Sequence, residues 1–167
     1  MSLLERLRAS GPRPVVLIDG RSGSGKTTLA TALRDEWPLA QLVRLDDFYP
    51  GWDGLEAGSR IVTERVLVAS DPHFDRWDWV RNAWAERHDI DPGRPLLVEG
   101  VGALSRTNRT RATYGIWVER DDAARKVAAL SRDGDSFAPH WDRWAAQEDV
   151  FLERENPRAL ADEIVYR

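Results

Sequence analysis

The chain has 167 residues, enough for one domain with a real core. Its 42% hydrophobic and 31% charged residues fit a water-soluble globular chain, and a formal net charge of -4 argues against a general nucleic-acid surface. It has no cysteine, which excludes disulfides and thiolate metal sites, and no apolar run approaches a membrane span.

Leu3, Leu4 and Leu7 predict a short amphipathic helix at the N-terminus. The opening stretch MSLLERLRAS lacks the apolar core of a signal peptide, so the cytoplasm is the expected location. Gly11-Pro12-Arg13-Pro14 stops the helix, and Val15 to Ile18 reads as a short buried strand.

Gly20, Gly25, Lys26 and Thr27 then fill the pattern G-x-x-x-x-G-K-[ST] between that strand and a helical run. Gly20, Gly23 and Gly25 let the backbone bring its N–H groups, including those of Ser22 and Ser24, close to phosphate oxygens. The helix that opens at Lys26, Thr27 and Thr28 adds its positive end. Lys26 is expected to reach the β- and γ-phosphates, and the Thr27 hydroxyl to hold Mg²⁺. The chain has 22 arginines and only two lysines, Lys26 and Lys126. A compact ammonium fits between phosphates where a planar guanidinium does not, so lysine in this loop points to chemistry.

The helix is predicted to run to Trp37, where Pro38 ends it. Gln41 to Leu45 reads as a second strand that delivers Asp46-Asp47-Phe48-Tyr49 at its C-terminal end, the ligand edge of an open α/β sheet. A carboxylate there can take the proton of an attacking hydroxyl or orient Mg²⁺ through water; it can equally belong to a solvated turn. Pro50 to Gly54 reads as a flexible lip, and Ser59 to Ala69 as a helix. In the stretch Pro72 to Trp84, Trp84 is expected in the core, while Phe74 to Trp79, with Asp78 and Trp79, is read as an acceptor wall of stacking rings and charges.

Pro95 to Val98 is a third strand, closed by Glu99-Gly100, the position of a carboxylate that orients Mg²⁺. The basic run 105–112 reads as a solvated face. Tyr114 to Val118 is a fourth strand, and Asp121-Asp122 caps a helix through Leu130. Arg125 and Arg132 lie two turns apart on one face of it, where they could clamp a phosphoryl group; Arg132 to Asp135 is expected as a loop. A helix over 140–155 and a fifth strand over 161–166 complete the chain, and Trp141, Trp144 and Phe151 are read as packing. The three histidines show no metal-binding spacing.

Taken together, GRSGSGKTT (Gly20 to Thr28), LDDFY (Leu45 to Tyr49), WDW (Trp77 to Trp79), LLVEG (Leu96 to Gly100) and the Arg125, Arg132, Asp133 set resemble the uridine kinase-like group of P-loop kinases. The resemblance implies a three-layer α/β domain over 1–167, with five parallel strands in spatial order 2-3-1-4-5, helices on both faces and a small lid. It implies Asp46 as the residue that activates the acceptor hydroxyl and Glu99 as the Mg²⁺-associated acid. Asp78, beside Tyr49 and Trp79, matches the acid of a substrate motif, with Trp77 in place of a tyrosine. Arg125 and Arg132 match lid arginines that contact ATP phosphates. The lid sequence DGDSFAPHWDRW and the Asp47 beside Asp46 depart from the group's pattern.

The reaction expected is transfer of the ATP γ-phosphoryl to a hydroxyl of a small molecule, a nucleoside such as uridine or a similar metabolite, with Mg²⁺. A nucleoside monophosphate kinase, using Arg76 or Arg81 for the acceptor phosphate, is one alternative. A nucleotide-dependent binding module with weak hydrolysis is the other. The partners expected are a nucleotide and a small-molecule acceptor, with neither nucleic acid nor membrane.

Overall fold

The computed structural model describes residues 1–167. Helix α1 (Leu3–Arg8) is closed by a capping box between Ser2 and Glu5. Strand β1 (Val15–Asp19) is buried along its whole length, which an apolar run flanked on both sides by other strands requires. Helix α2 (Lys26–Glu36) follows the glycine loop, and β2 (Gln41–Arg44) leads into a 3₁₀ turn over Leu45–Asp47. Next come α3 (Leu55–Ile61), β3 (His73–Asp78), β4 (Ala83–Asp89) and β5 (Leu96–Glu99). The rest is α4 (Arg106–Arg109), β6 (Tyr114–Glu119), α5 (Asp122–Phe137), α6 (Trp141–Glu155), α7 (Pro157–Leu160) and β7 (Glu163–Tyr166).

Five strands form one parallel sheet in the order β2-β5-β1-β6-β7. Counted without the separate hairpin β3–β4, this is the predicted order 2-3-1-4-5. Side chains of β1 alternate between two cores. Val15 and Leu17 face a cluster with Leu55 of α3 and Phe151 of α6, while Val16 and Ile18 face Leu7 of α1 and Leu29 and Leu33 of α2. Helices therefore cover both faces, giving three layers. Leu17 is fully buried, and its truncation to alanine would cost about 2–5 kcal/mol.

Three local expectations change. The segment 72–84 is an antiparallel hairpin, in which Trp77 and Trp84 face each other as a cross-strand edge-to-face pair, 4.9 Å between centroids. Trp84 lies on the exposed strand and is itself 48% exposed, so it is not core. The helix predicted over Ser59–Ala69 starts earlier and closes with a π-helical turn over Val62–Val66. Residues 132–135 are not a loop: α5 continues to Phe137 through a kink at Gly134 (φ 53°, ψ -133°), a conformation open to glycine. No helix is long and apolar enough to cross a membrane.

Candidate active site

The C-terminal ends of β1, β2 and β5 converge on the glycine loop. At Gly25 the backbone takes φ 94° and starts α2; at Gly23 it takes φ 78°, and a Cβ there would fall 2.0 Å from the Arg125 carbonyl oxygen. The loop therefore has its shape only with glycine at both positions. Lys26 is buried in the first turn of α2. Thr27 Oγ1 donates to Glu99 Oε1 at 3.0 Å. Thr28, next along α2, is exposed.

Two buried polar atoms beside the loop have no protein partner, Ser24 Oγ and Glu99 Oε2. Burial pushes the Glu99 carboxyl up, and Asp46 adds to that, while the Lys26 ammonium opposes it. A buried acid beside a lysine and a threonine hydroxyl fits Mg²⁺ shared with phosphate oxygens. No group of three or more His, Asp or Glu side chains is assembled as a closed metal site.

A cavity of about 470 Å³ opens over the loop. Ser22, Lys26 and Arg132 line it together with Asp46 from the turn after β2. Asp47 does not line it, which separates the two members of the acidic pair. Burial and the neighbouring Asp46 raise the Asp47 carboxyl. The indole N–H of Trp79 donates to the Asp46 carbonyl at 3.0 Å, so the hairpin tip anchors the Asp46 turn.

The remaining wall is aromatic, with Trp52 at its centre. Its ring lies 4.3 Å from His140 and 5.5 Å from Phe137, both nearly parallel to it, and 5.0 Å from Trp79. Trp144 meets Tyr49 edge-on at 4.7 Å. The Tyr49 hydroxyl donates to the Val101 carbonyl at 2.6 Å, so Tyr49 presents its ring and not its oxygen.

Two expected site residues sit elsewhere. Asp78 does not line the cavity: its Oδ1 accepts the N–H groups of Val80 and Arg81 at 3.0 and 2.9 Å and closes the hairpin turn. Arg125 does not line it either. Its guanidinium is buried and donates to the Ser22 carbonyl at 3.0 Å and to Asp122 at 2.5 Å, bracing the loop. Arg132 remains at the cavity, paired with Asp133 at 2.7 Å. Of the basic run 105–112, Arg109 pairs with Asp162 and Arg111 donates to the Thr63 carbonyl, both away from the cavity.

Several residues at the site carry no motif. Asp19, at the end of β1, accepts from the N–H groups of Gly20, Gly102 and Leu104 at 2.7, 3.1 and 2.8 Å. It ties the loop to the segment after β5, and burial pushes its carboxyl up to about 7. Trp52, Phe137 and Trp144 form the cavity wall; the sequence pattern reads Trp144 as packing, which it also is.

A parallel sheet of this order, with a glycine loop between its central strand and α2, is a fold the chain shares with solved structures described as kinases. Among solved structures the chain is similar to a possible uridine kinase from Bacillus stearothermophilus, with 19% identity, 98% of this chain and 95% of that one covered, and a TM-score of 0.65. It is similar as well to a candidate fructose transport system kinase from Silicibacter sp. TM1040, with 19% identity, 98% of each chain covered and a TM-score of 0.61. A shikimate kinase from Bacteroides thetaiotaomicron covers 90% of this chain and 85% of its own at 15% identity, with a TM-score of 0.51. No family model and no curated protein matches the sequence, so the likeness is one of fold.

Proposed function

We propose that the chain is an ATP-dependent kinase of a small molecule, transferring the γ-phosphoryl group to a hydroxyl. The observation that carries this reading is a single cavity lined by Lys26 of the phosphate loop, Asp46 after β2 and Arg132 of α5. Phosphoryl transfer asks a protein mainly for positioning and for cations around the moving charge. In this reading the acceptor oxygen bonds to the γ-phosphorus, the bond from that phosphorus to the β–γ bridging oxygen breaks, and Asp46 takes the hydroxyl proton. Lys26 and Arg132 neutralise the phosphate oxygens. Bound Mg²⁺ would add charge neutralisation at the phosphates, and Thr27, Glu99 and Asp46 are the residues to hold it.

The aromatic wall favours an acceptor with a flat ring, a nucleoside such as uridine or a metabolite of similar build. A nucleoside monophosphate is a poorer fit. Arg76 is paired with Glu86 on the hairpin and Arg81 is exposed at its turn, and neither lines the cavity.

The test is ADP release from MgATP across a panel of nucleosides, nucleoside monophosphates, pantothenate and sugars. Stimulation by one hydroxyl compound, lost in Asp46→Asn with nucleotide binding retained, is the expected result. Stimulation by monophosphates alone would move the acceptor assignment. A flat panel with tight nucleotide binding would favour a binding module.

A further inference from the structure

Glu148 of α6 is a buried carboxylate, with its side chain 2% exposed, and it touches the phosphate loop 126 residues earlier in the chain. Its Oε1 accepts both the N–H of Ser22 at 2.8 Å and the Ser22 hydroxyl at 2.7 Å. Its Oε2 accepts the Nε–H of Arg21 at 3.0 Å, and the same guanidinium reaches Asp149 at 2.7 Å. With Arg125 on its carbonyl, Ser22 has every polar group held by a side chain from α5 or α6.

An acid packed against an anion-binding loop needs a reason. Isolated, it would repel phosphate and carry a large desolvation cost. Here the Arg21 guanidinium lies against its charge and three donors satisfy its oxygens. The result is a fixed limb. The Ser22 N–H is committed to the protein, and the direction in which the chain enters the turn at Gly23 is set from outside the loop. Trp144, one helical turn before Glu148, lines the cavity, so one face of α6 serves both the wall and the loop.

We propose that Glu148 is a positioning residue of the phosphate loop: it sets the Arg21–Ser22 limb so that the following N–H groups and Lys26 present together to a nucleotide. This rests on the nucleotide-binding part of the function proposed above. The experiment is calorimetric titration of MgADP and MgATP into the wild type, Glu148→Ala, Glu148→Gln, Ser22→Ala and the double variant Ser22→Ala/Glu148→Gln. Each is measured below its unfolding transition.

Glu148→Ala is expected to weaken both nucleotides about tenfold. Glu148→Gln, which keeps an oxygen for Ser22, should recover to within roughly threefold of the wild type. Glu148→Gln removes the charge assistance of the Ser22 hydroxyl contact and Ser22→Ala removes the contact itself, so the double variant should lose less than the two single losses combined. Unchanged nucleotide affinity in folded Glu148→Ala overturns the positioning role and leaves the kinase reading intact. Should that variant fail to fold, additive losses in the double variant overturn it instead. A wild type that binds neither nucleotide overturns both readings.

Discussion

Thr27 Oγ1 donates to Glu99 Oε1 at 3.0 Å, so the hydroxyl in the first turn of α2 meets the acid at the end of β5. The second Glu99 oxygen is buried and unpartnered. A buried acceptor left alone costs free energy, and an ion or an ion-bound water would satisfy it. Glu99→Gln is therefore expected to raise the Mg²⁺ concentration for half-maximal turnover by about 10-fold or more, with ADP affinity in the absence of metal little changed. Titration of Mg²⁺ at fixed ATP checks this, and an unshifted midpoint would remove Glu99 from the metal site.

Lys26 is the one lysine in the glycine loop of a chain that otherwise uses arginine almost throughout. Its ammonium lines the cavity from the first turn of α2. Lys26→Ala should lower kcat/KM for ATP by on the order of 10²–10³, the scale of removing one preorganised charge from a phosphoryl-transfer site. Lys26→Arg should rescue little, because the guanidinium is planar and larger. Steady-state assays on the responsive acceptor decide it; near-normal turnover in Lys26→Ala would end the phosphate-loop role.

Much of the sheet and the glycine loop was legible because the signals are local. Four fixed residue types at fixed spacing mark the loop, and unbroken apolar runs mark β1 and β5. The hairpin β3–β4 was hidden because its exposed strand, AWAERHD, has no buried face to impose a period of two. Asp78 read as a ligand because a carboxylate beside tryptophans has the same composition whether it meets a substrate or closes a turn. Glu148 and Trp52 reach the site only through tertiary packing, and nothing in their neighbourhoods announces it. Asp19 was closer to hand, since it directly precedes Gly20, but its second anchor, the segment after β5, lies about 80 positions on.

Asp19 is expected to give the protein a pH-dependent stability. Burial lifts its carboxyl from the ordinary 3.8 to about 7, outweighing three N–H bonds and the Lys26 ammonium. The folded chain thus holds this proton more tightly than the unfolded one. The contribution is complete below about pH 4 and is lost as pH rises through 7, by at most about 1.4 kcal/mol per unit. The raised carboxyl of Glu99 acts in the same direction. Asp19→Asn should flatten this slope. It should also destabilise by about 1–3 kcal/mol, because an amide keeps only one accepting oxygen and cannot serve both the Gly20 N–H and the Gly102 and Leu104 pair. Urea unfolding at pH 5, 6 and 7.5 measures both effects; equal slopes in the two proteins would remove Asp19 as their source.

Asp78 and Trp52 offer the sharpest contrast between motif and geometry. Asp78 closes the hairpin turn through Val80 and Arg81, a task asparagine performs equally well. Trp52 is the hub of the aromatic wall, against Trp79, Phe137 and His140. Asp78→Asn is expected to leave the acceptor KM within about twofold, as a surface change away from the cavity should. Trp52→Ala should raise the acceptor KM by roughly tenfold or more with the ATP KM little moved, since one stacking face is worth about 1–3 kcal/mol. Both constants are read from initial rates with the acceptor varied at saturating MgATP, then ATP varied at saturating acceptor. A large KM effect in Asp78→Asn with none in Trp52→Ala would return the acceptor to the hairpin acid and away from the aromatic wall.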